Sequence, residues 1–364
     1  EWRRSLCRGM ARVTMNGVNI TANTASNDGA GFMATADAIV TVNNSAIHAN
    51  EFADPNRISA ESLGTGDGTA AQFTGNFTAS PVYPLSITIT DGTQTVTDDG
   101  AGNLIGDGAG TIDYTTGAYD VTFTAAPASA AAITVDYAEF TSDNRDGAGF
   151  YVTSRATVNL NNSELRDSTA TALGGGFRAE GADTTVNIIN SKIHGNRTTS
   201  NHGGAIATSG TLVITDSDFG TFAAGTHNQT LGSGNNNRVG GAIYQHGYGS
   251  NVTLNNTDIN DQRAFGRGGA VYTTSGTFTA NNSDFIGNQS LSTSRDGGAI
   301  WAGGSGVVNI NNAEISGNSA GGYGGGITIG DSNAANASKM TLDNVVIDNN
   351  TAGSRGGGFW VSDT

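Results

Sequence analysis

The groups able to carry acid–base or metal chemistry are few in this chain and lie far apart. Its 364 residues hold 5 His, 1 Cys and 32 Asp plus Glu. Glycoside cleavage needs two carboxylates flanking the scissile bond. Asp284 and Glu314 come nearest to such a pair, because they occupy equivalent places in neighbouring sequence repeats; a solvated face explains them as well. Asp98-Asp99-Gly100 with Asp107 has the makings of a loose calcium loop. It lacks the terminal Glu that closes a calcium-binding loop, and hairpin turns use Asp-Gly without any metal. His48 and His194 share one column of the repeat, while His202, His227 and His246 do not, so outward-facing polar residues are the simpler reading. The single Cys7 excludes an internal disulfide and the cysteine clusters of zinc sites. G-x-S-x-G and H-E-x-x-H are absent. The residues therefore assign no catalytic, cofactor or metal-ligating set, with calcium a weak alternative. Tyr244, Tyr248, Tyr272, Trp301 and Tyr323 sit beside glycine boxes. They suit a sugar- or protein-binding stripe, unless alternate members belong to the core.

The elements that must position these residues are repeats. A glycine box followed by an apolar residue ends at Phe32, Phe150, Phe177, Ile206, Ile243, Val271, Ile300, Ile327 and Phe359. The boxes are not phosphate loops, since no helix pattern follows them. A second element has apolar residues at offsets 0, +2 and +7 in nine copies, from Val13/Met15/Ile20 to Met340/Leu342/Ile347. At +4 stand Asn44, Asn162, Asn190, Asp216, Asn256, Asn282, Asn312 and Asn344, with Gly17 the exception. At +10 stand Asn23, Asn50, Asn196, Asn288, Asn318 and Asn350, and Ser168, Phe222 and Gln262 break the column.

Alternation at 0 and +2 marks a strand with one buried face, and the apolar spacing of a helix is missing. The most compact period is 27 residues. Three short strands per turn with Gly and Asn corners predict a parallel β-helix, its aliphatic columns stacked roughly 4.8 Å apart. Asn accepts left-handed backbone angles, and stacked Asn side chains bond to one another along the axis.

Residues 52–140 break the repeat. "LSITITDGTQTVTD" and "AAITVDYAEF" alternate strongly between DG and TG turns, which reads as antiparallel hairpins in a small immunoglobulin-like β-sandwich. The domain reading is therefore 1–51 first turns with a basic lead, 52–140 inserted module, and 141–364 main β-helix. A second insertion lies between Phe222 and Ile243.

Net charge is −15, which argues against nucleic acid and anionic membrane as partners. No apolar run approaches the ~20 residues of a membrane span. The opening "EWRRSLCRGM" lacks a signal-peptide core, so the chain reads as mature or as a fragment.

The "GGAI/GGAV" boxes with an "F-x-x-N" partner, literal at Phe285 and Asn288, resemble the repeats of polymorphic outer-membrane proteins and related autotransporter passenger domains. Ile47/Asn50, Ile193/Asn196, Ile315/Asn318 and Ile347/Asn350 match with Ile for Phe. The resemblance implies a right-handed parallel β-helix displayed at a cell surface, commonly in adhesion. The resulting expectation is a non-catalytic extracellular rod, part of a longer fibre or stacked head to tail on itself through open β-helix ends. The alternatives are an adhesin for surface glycan or protein, binding through the inserted module and the 223–239 loop, and a polysaccharide lyase or tailspike-like hydrolase.

Overall fold

The computed structural model describes residues 10–52, 57–83, 86–100, 102–139, 145–220, 227–231, 238–331 and 338–363. All of their regular elements are strands. The chain divides into two compact units: Glu1–Phe52 with Arg145–Thr230 and Asn237–Thr364, and Ala53–Asn144 with Leu231–Asn236.

The first unit is a parallel β-solenoid. Most turns contribute four short strands rather than the expected three, giving four faces; Val307–Ser316 and Lys339–Asp348 each run through the first two faces as one strand. The first face carries offsets 0 and +2, in strands such as Ile39–Asn43, Thr157–Asn161 and Thr277–Asn281. The second carries +7, as in Ala46–His48. The third is a two-residue strand just past the +10 Asn, as in Glu51–Phe52 and Gln289–Ser290. Strands this short leave no periodic trace in the sequence. The fourth face follows the glycine box and pairs nine strands, from Phe32–Ala34 to Phe359–Asp363.

Register matches the sequence columns. Val40 pairs Val158, Val158 pairs Val186, and Phe278 pairs Val308. Along the first face and its corner, stacked partners lie 26 to 32 residues apart, except across the two insertions, where the gaps are 40 and 118. Val158, Leu160, Leu165, Phe177 and their equivalents in the middle turns are buried and form one continuous core, while Val13, Leu342 and Phe359 in the outer turns are exposed. Phe32, Phe150 and Phe177 stack face to face in it, with centroids 5.0 and 4.6 Å apart.

Three corners are fixed by left-handed backbone. At the +4 corner the eight Asn and Asp residues have φ of 47° to 53°, and Gly17 has 63°. Their side chains form a rail: Asn282 Nδ2 donates to Asn256 Oδ1 at 3.2 Å, and Asn344 Nδ2 to Asn312 Oδ1 at 2.9 Å. Ala22, Ala49, Asp167 and Asp261 turn the next corner. The first glycine of each box turns the third. The next position is Ala in the first two boxes, at Ala30 and Ala148, and Gly in the others, where stacking is close: a Cβ on Gly298 would lie 2.0 Å from the Gly325 carbonyl oxygen.

The +10 column is an internal amide ladder, and two of its apparent breaks are repaired. Phe222 lies outside the described residues; Asn228 takes that rung, with its Oδ1 accepting from the Asn196 backbone N–H at 3.0 Å. Gln262 substitutes for Asn, its Oε1 accepting from Asn228 Nδ2 at 2.7 Å and its Nε2 donating to the Phe219 carbonyl at 2.7 Å. Ser168 joins only through its backbone N–H, which donates to Asn196 Oδ1 at 3.2 Å.

The second unit is one eight-stranded antiparallel sheet. Arg57–Thr65 pairs Ala132–Ala138, which pairs Thr88–Thr90. Consecutive strands then pair in chain order to Ala118–Phe123, and Gln72–Asn76 closes the path. The antiparallel pairing is as expected, and the hydrogen bonds draw it as a single path. Ile89, Val96, Val121, Ile133, Val135 and Tyr137 are fully buried in a core of its own.

Candidate binding face

The fourth face of the solenoid gathers the aromatic residues. Strand alternation puts the box apolar residue inward and its successor outward. The outward column reads Tyr151, Arg178, Ala207, Tyr244, Tyr272, Trp301, Thr328 and Trp360, one per rung. Ring stacking follows from rung spacing. Tyr272 and Trp301 lie 4.4 Å apart and 7° from parallel. Tyr244 lies 5.8 Å from Tyr272, and Tyr323 stacks on Trp360 at 4.8 Å.

Tyr272, Trp301, Tyr323 and Trp360 line a groove of about 560 Å³ with Arg267, Asp296, Thr328 and Ser362. The volume falls in the range of small-molecule sites, roughly 300–1,000 Å³. Its two charged groups, Arg267 and Asp296, each sit just before a glycine box. Arg267 Nε donates to Asp296 Oδ2 at 3.3 Å, and its guanidinium lies 5.2 Å from the Trp301 ring centroid. Asp296 Oδ1 accepts from the Tyr323 backbone N–H at 2.9 Å. Burial pushes the Tyr272 hydroxyl up to about 12, so it remains a neutral donor. Flat rings beside a fixed donor–acceptor pair would hold a ligand with an apolar face and hydroxyl edges.

The structure joins four of the five sequence-predicted aromatics, Tyr244, Tyr272, Trp301 and Tyr323, on this face. Tyr248 lies beyond its strand and is 81% exposed. Trp360 follows its box as Trp301 does, so the same periodicity could have found it; Arg267 and Asp296 stand where residue type varies between repeats and leave no such signal. Two histidines join as well. His202 lies 4.7 Å and His246 4.9 Å from the Tyr244 ring. Burial first, and nearby positive charge second, lower both to about 4. Both are therefore neutral at neutral pH.

The other expected candidates are dispersed. His48 and His194 stack two rungs apart with Arg166 between them; His48 contacts Thr21 and His194 contacts Glu164. His227 lies near Gln229, at 3.2 Å. Asp284 and Glu314 are one turn apart on the second face, but Asp284 Oδ1 accepts the Glu314 backbone N–H at 2.7 Å and so fastens one rung to the next. Asp98 accepts from Tyr114 and from the Ile87 N–H, Asp99 from Asn103, and Asp107 from Thr95. These three carboxylates fasten hairpins and do not converge. Among the described residues, no group of three or more His, Cys, Asp or Glu is arranged to hold a metal. Cys7 and most of the 223–239 loop lie outside the described residues.

No known protein family matches the chain, and no curated protein matches it. Among solved structures it is similar to the tailspike protein gp49 from Pseudomonas phage LKA1, at 12% identity and a TM-score of 0.16, over 96% of this chain and 74% of that one. The likeness to polymorphic outer-membrane proteins thus rests on the repeat motifs alone.

Proposed function

We propose that the protein is an extracellular, right-handed β-solenoid that binds a glycan chain through the aromatic groove of its fourth face. The observation that carries this is the stack of Tyr272 and Trp301 beside the Arg267–Asp296 pair and the Tyr323–Trp360 stack. Aromatic rings cover the C–H faces of sugars, while a paired arginine and carboxylate offer donors and acceptors to the hydroxyls between them. The solenoid is the rigid scaffold that holds one ring per rung. In this reading the chain works by binding and needs no catalytic group. A surface glycan as partner agrees with the repeat resemblance, and the inserted unit is free to serve a separate role.

Retention on a glycan array, followed by titration of the retained glycans, tests the proposal. Trp301→Ala and Trp360→Ala should each weaken binding by about ten-fold or more, as expected for a stacked aromatic anchor. Tyr248→Ala should leave it unchanged. Absence of retention, or full affinity in Trp301→Ala, would remove the glycan reading.

A further inference from the structure

The outward column does not stop at Tyr244. One rung earlier stands Ala207, and the one before that holds Arg178. The small Ala207 side chain leaves room, and Arg178 crosses that rung: its Nη1 donates to His246 Nε2 at 2.5 Å. Contacts then run unbroken along the face, from Arg178 through His246, Tyr244 and Tyr272 to Trp301.

Arg178 is buried, its side chain only 5% exposed, and it lies between two carboxylates. Asp146 Oδ2 is 3.8 Å from its Nε, and Glu180 Oε1 is 4.0 Å from its Nη2. Both distances are too long for hydrogen bonds, and Nε has no hydrogen-bond partner. One oxygen of each carboxylate is already fixed: Asp146 Oδ1 by the Leu173 N–H at 2.9 Å, and Glu180 Oε2 by the Tyr151 hydroxyl. The other oxygen of each is held by charge alone. A buried ion pair made only for stability closes such gaps, because an unmade hydrogen bond in low dielectric is expensive. Here Asp146 Oδ2 and Glu180 Oε1 are two open acceptors beside the aromatic column, and Glu180 is 51% exposed.

We propose that Asp146 and Glu180 form a second subsite for a neutral, hydroxyl-rich glycan, which lies along the fourth face and reaches the aromatic groove. The inference rests on the glycan reading above. The carboxylates accept sugar hydroxyls, and Arg178 is a positioning residue that holds both. Anionic sugars are disfavoured, because Asp28 adds a third carboxylate, its Oδ1 accepting from the Asp146 backbone N–H at 2.8 Å. The rung of Arg178 and that of Trp301 are four steps apart, which is roughly 19 Å at about 4.8 Å per step. Only a chain of several sugars spans both subsites, and joining them raises affinity without new contacts at either.

Size-graded oligosaccharides of cellulose, chitin and mannan, titrated into the full chain, test this. Long members should bind at least about ten-fold tighter than short ones. Glu180→Gln, half-exposed and safe for folding, should remove that gain and leave short-chain affinity unchanged. Asp146→Asn should do the same, whereas Trp301→Ala should weaken short and long members alike. The inference is overturned if affinity does not grow with length, if Glu180→Gln keeps the gain, or if long oligogalacturonates bind as tightly as the neutral chains. If no oligosaccharide binds here and no glycan is retained on the array, the glycan reading falls with it.

Discussion

Asn288 shows how much one side chain does in this fold. It is fully buried. Its Nδ2 donates to the Ile259 carbonyl at 2.8 Å and to Asn318 Oδ1 at 3.0 Å, and its Oδ1 accepts from the Gln262 N–H at 2.9 Å. One amide thus ties three successive rungs. Asn288→Ala would leave those backbone groups buried and unpaired, at about 2–4 kcal/mol. Denaturant unfolding of wild type and variant should show the loss, and a difference below about 1 kcal/mol would mean the ladder is decorative. Most of this ladder is legible in the sequence as the +10 column. Asn228 is not, because an insertion shifts its spacing, and Gln262 looks like a break although its extra methylene lets it reach the same partners.

At the scale of elements, the corners decide what the chain tolerates. The +4 corner accepts any residue that adopts left-handed backbone with little cost, and Asn does so while extending the side-chain rail. Gly17 has the same geometry, at φ 63°, and a Cβ placed there would meet nothing within 4 Å. Gly17→Asn should therefore stabilise the protein by about 0.5–1 kcal/mol, by lowering unfolded-chain entropy and offering a bond toward Asn44. Gly298→Ala should prevent correct stacking, since its Cβ meets carbonyl oxygens at 2.0 and 2.6 Å. Melting temperatures of the two variants settle the matter, and similar behaviour in both would sink this account of the corners. The same logic separates what was readable in the binding face. The outward aromatics follow from box spacing and strand alternation. The roles of Arg178 and Asp146 do not, because they depend on Ala207 leaving a gap one rung away, which is a property of stacking and not of any single repeat.

At the scale of the whole molecule, the solenoid is continuous across the long insertion. Phe32 pairs Phe150, Val40 pairs Val158, Ile47 pairs Leu165 and Glu51 pairs Thr169, so all four faces pass from the second rung to the third. None of these bonds uses residues 57–139, whose sheet closes on its own core. Alternation in the sequence revealed those inserted strands but not their partners, since a period of two fixes which side chains face inward and leaves pairing open. Replacing Ala53–Asn144 with a linker of a few residues should leave a chain that keeps its β-rich circular dichroism and melts cooperatively. The excised segment should fold with a transition of its own. Because every residue of the binding face belongs to the solenoid, the shortened chain should also retain glycan at undiminished affinity. Aggregation of the shortened chain would show that the two units depend on each other for folding, and loss of glycan retention in a folded shortened chain would move the binding site into the inserted unit.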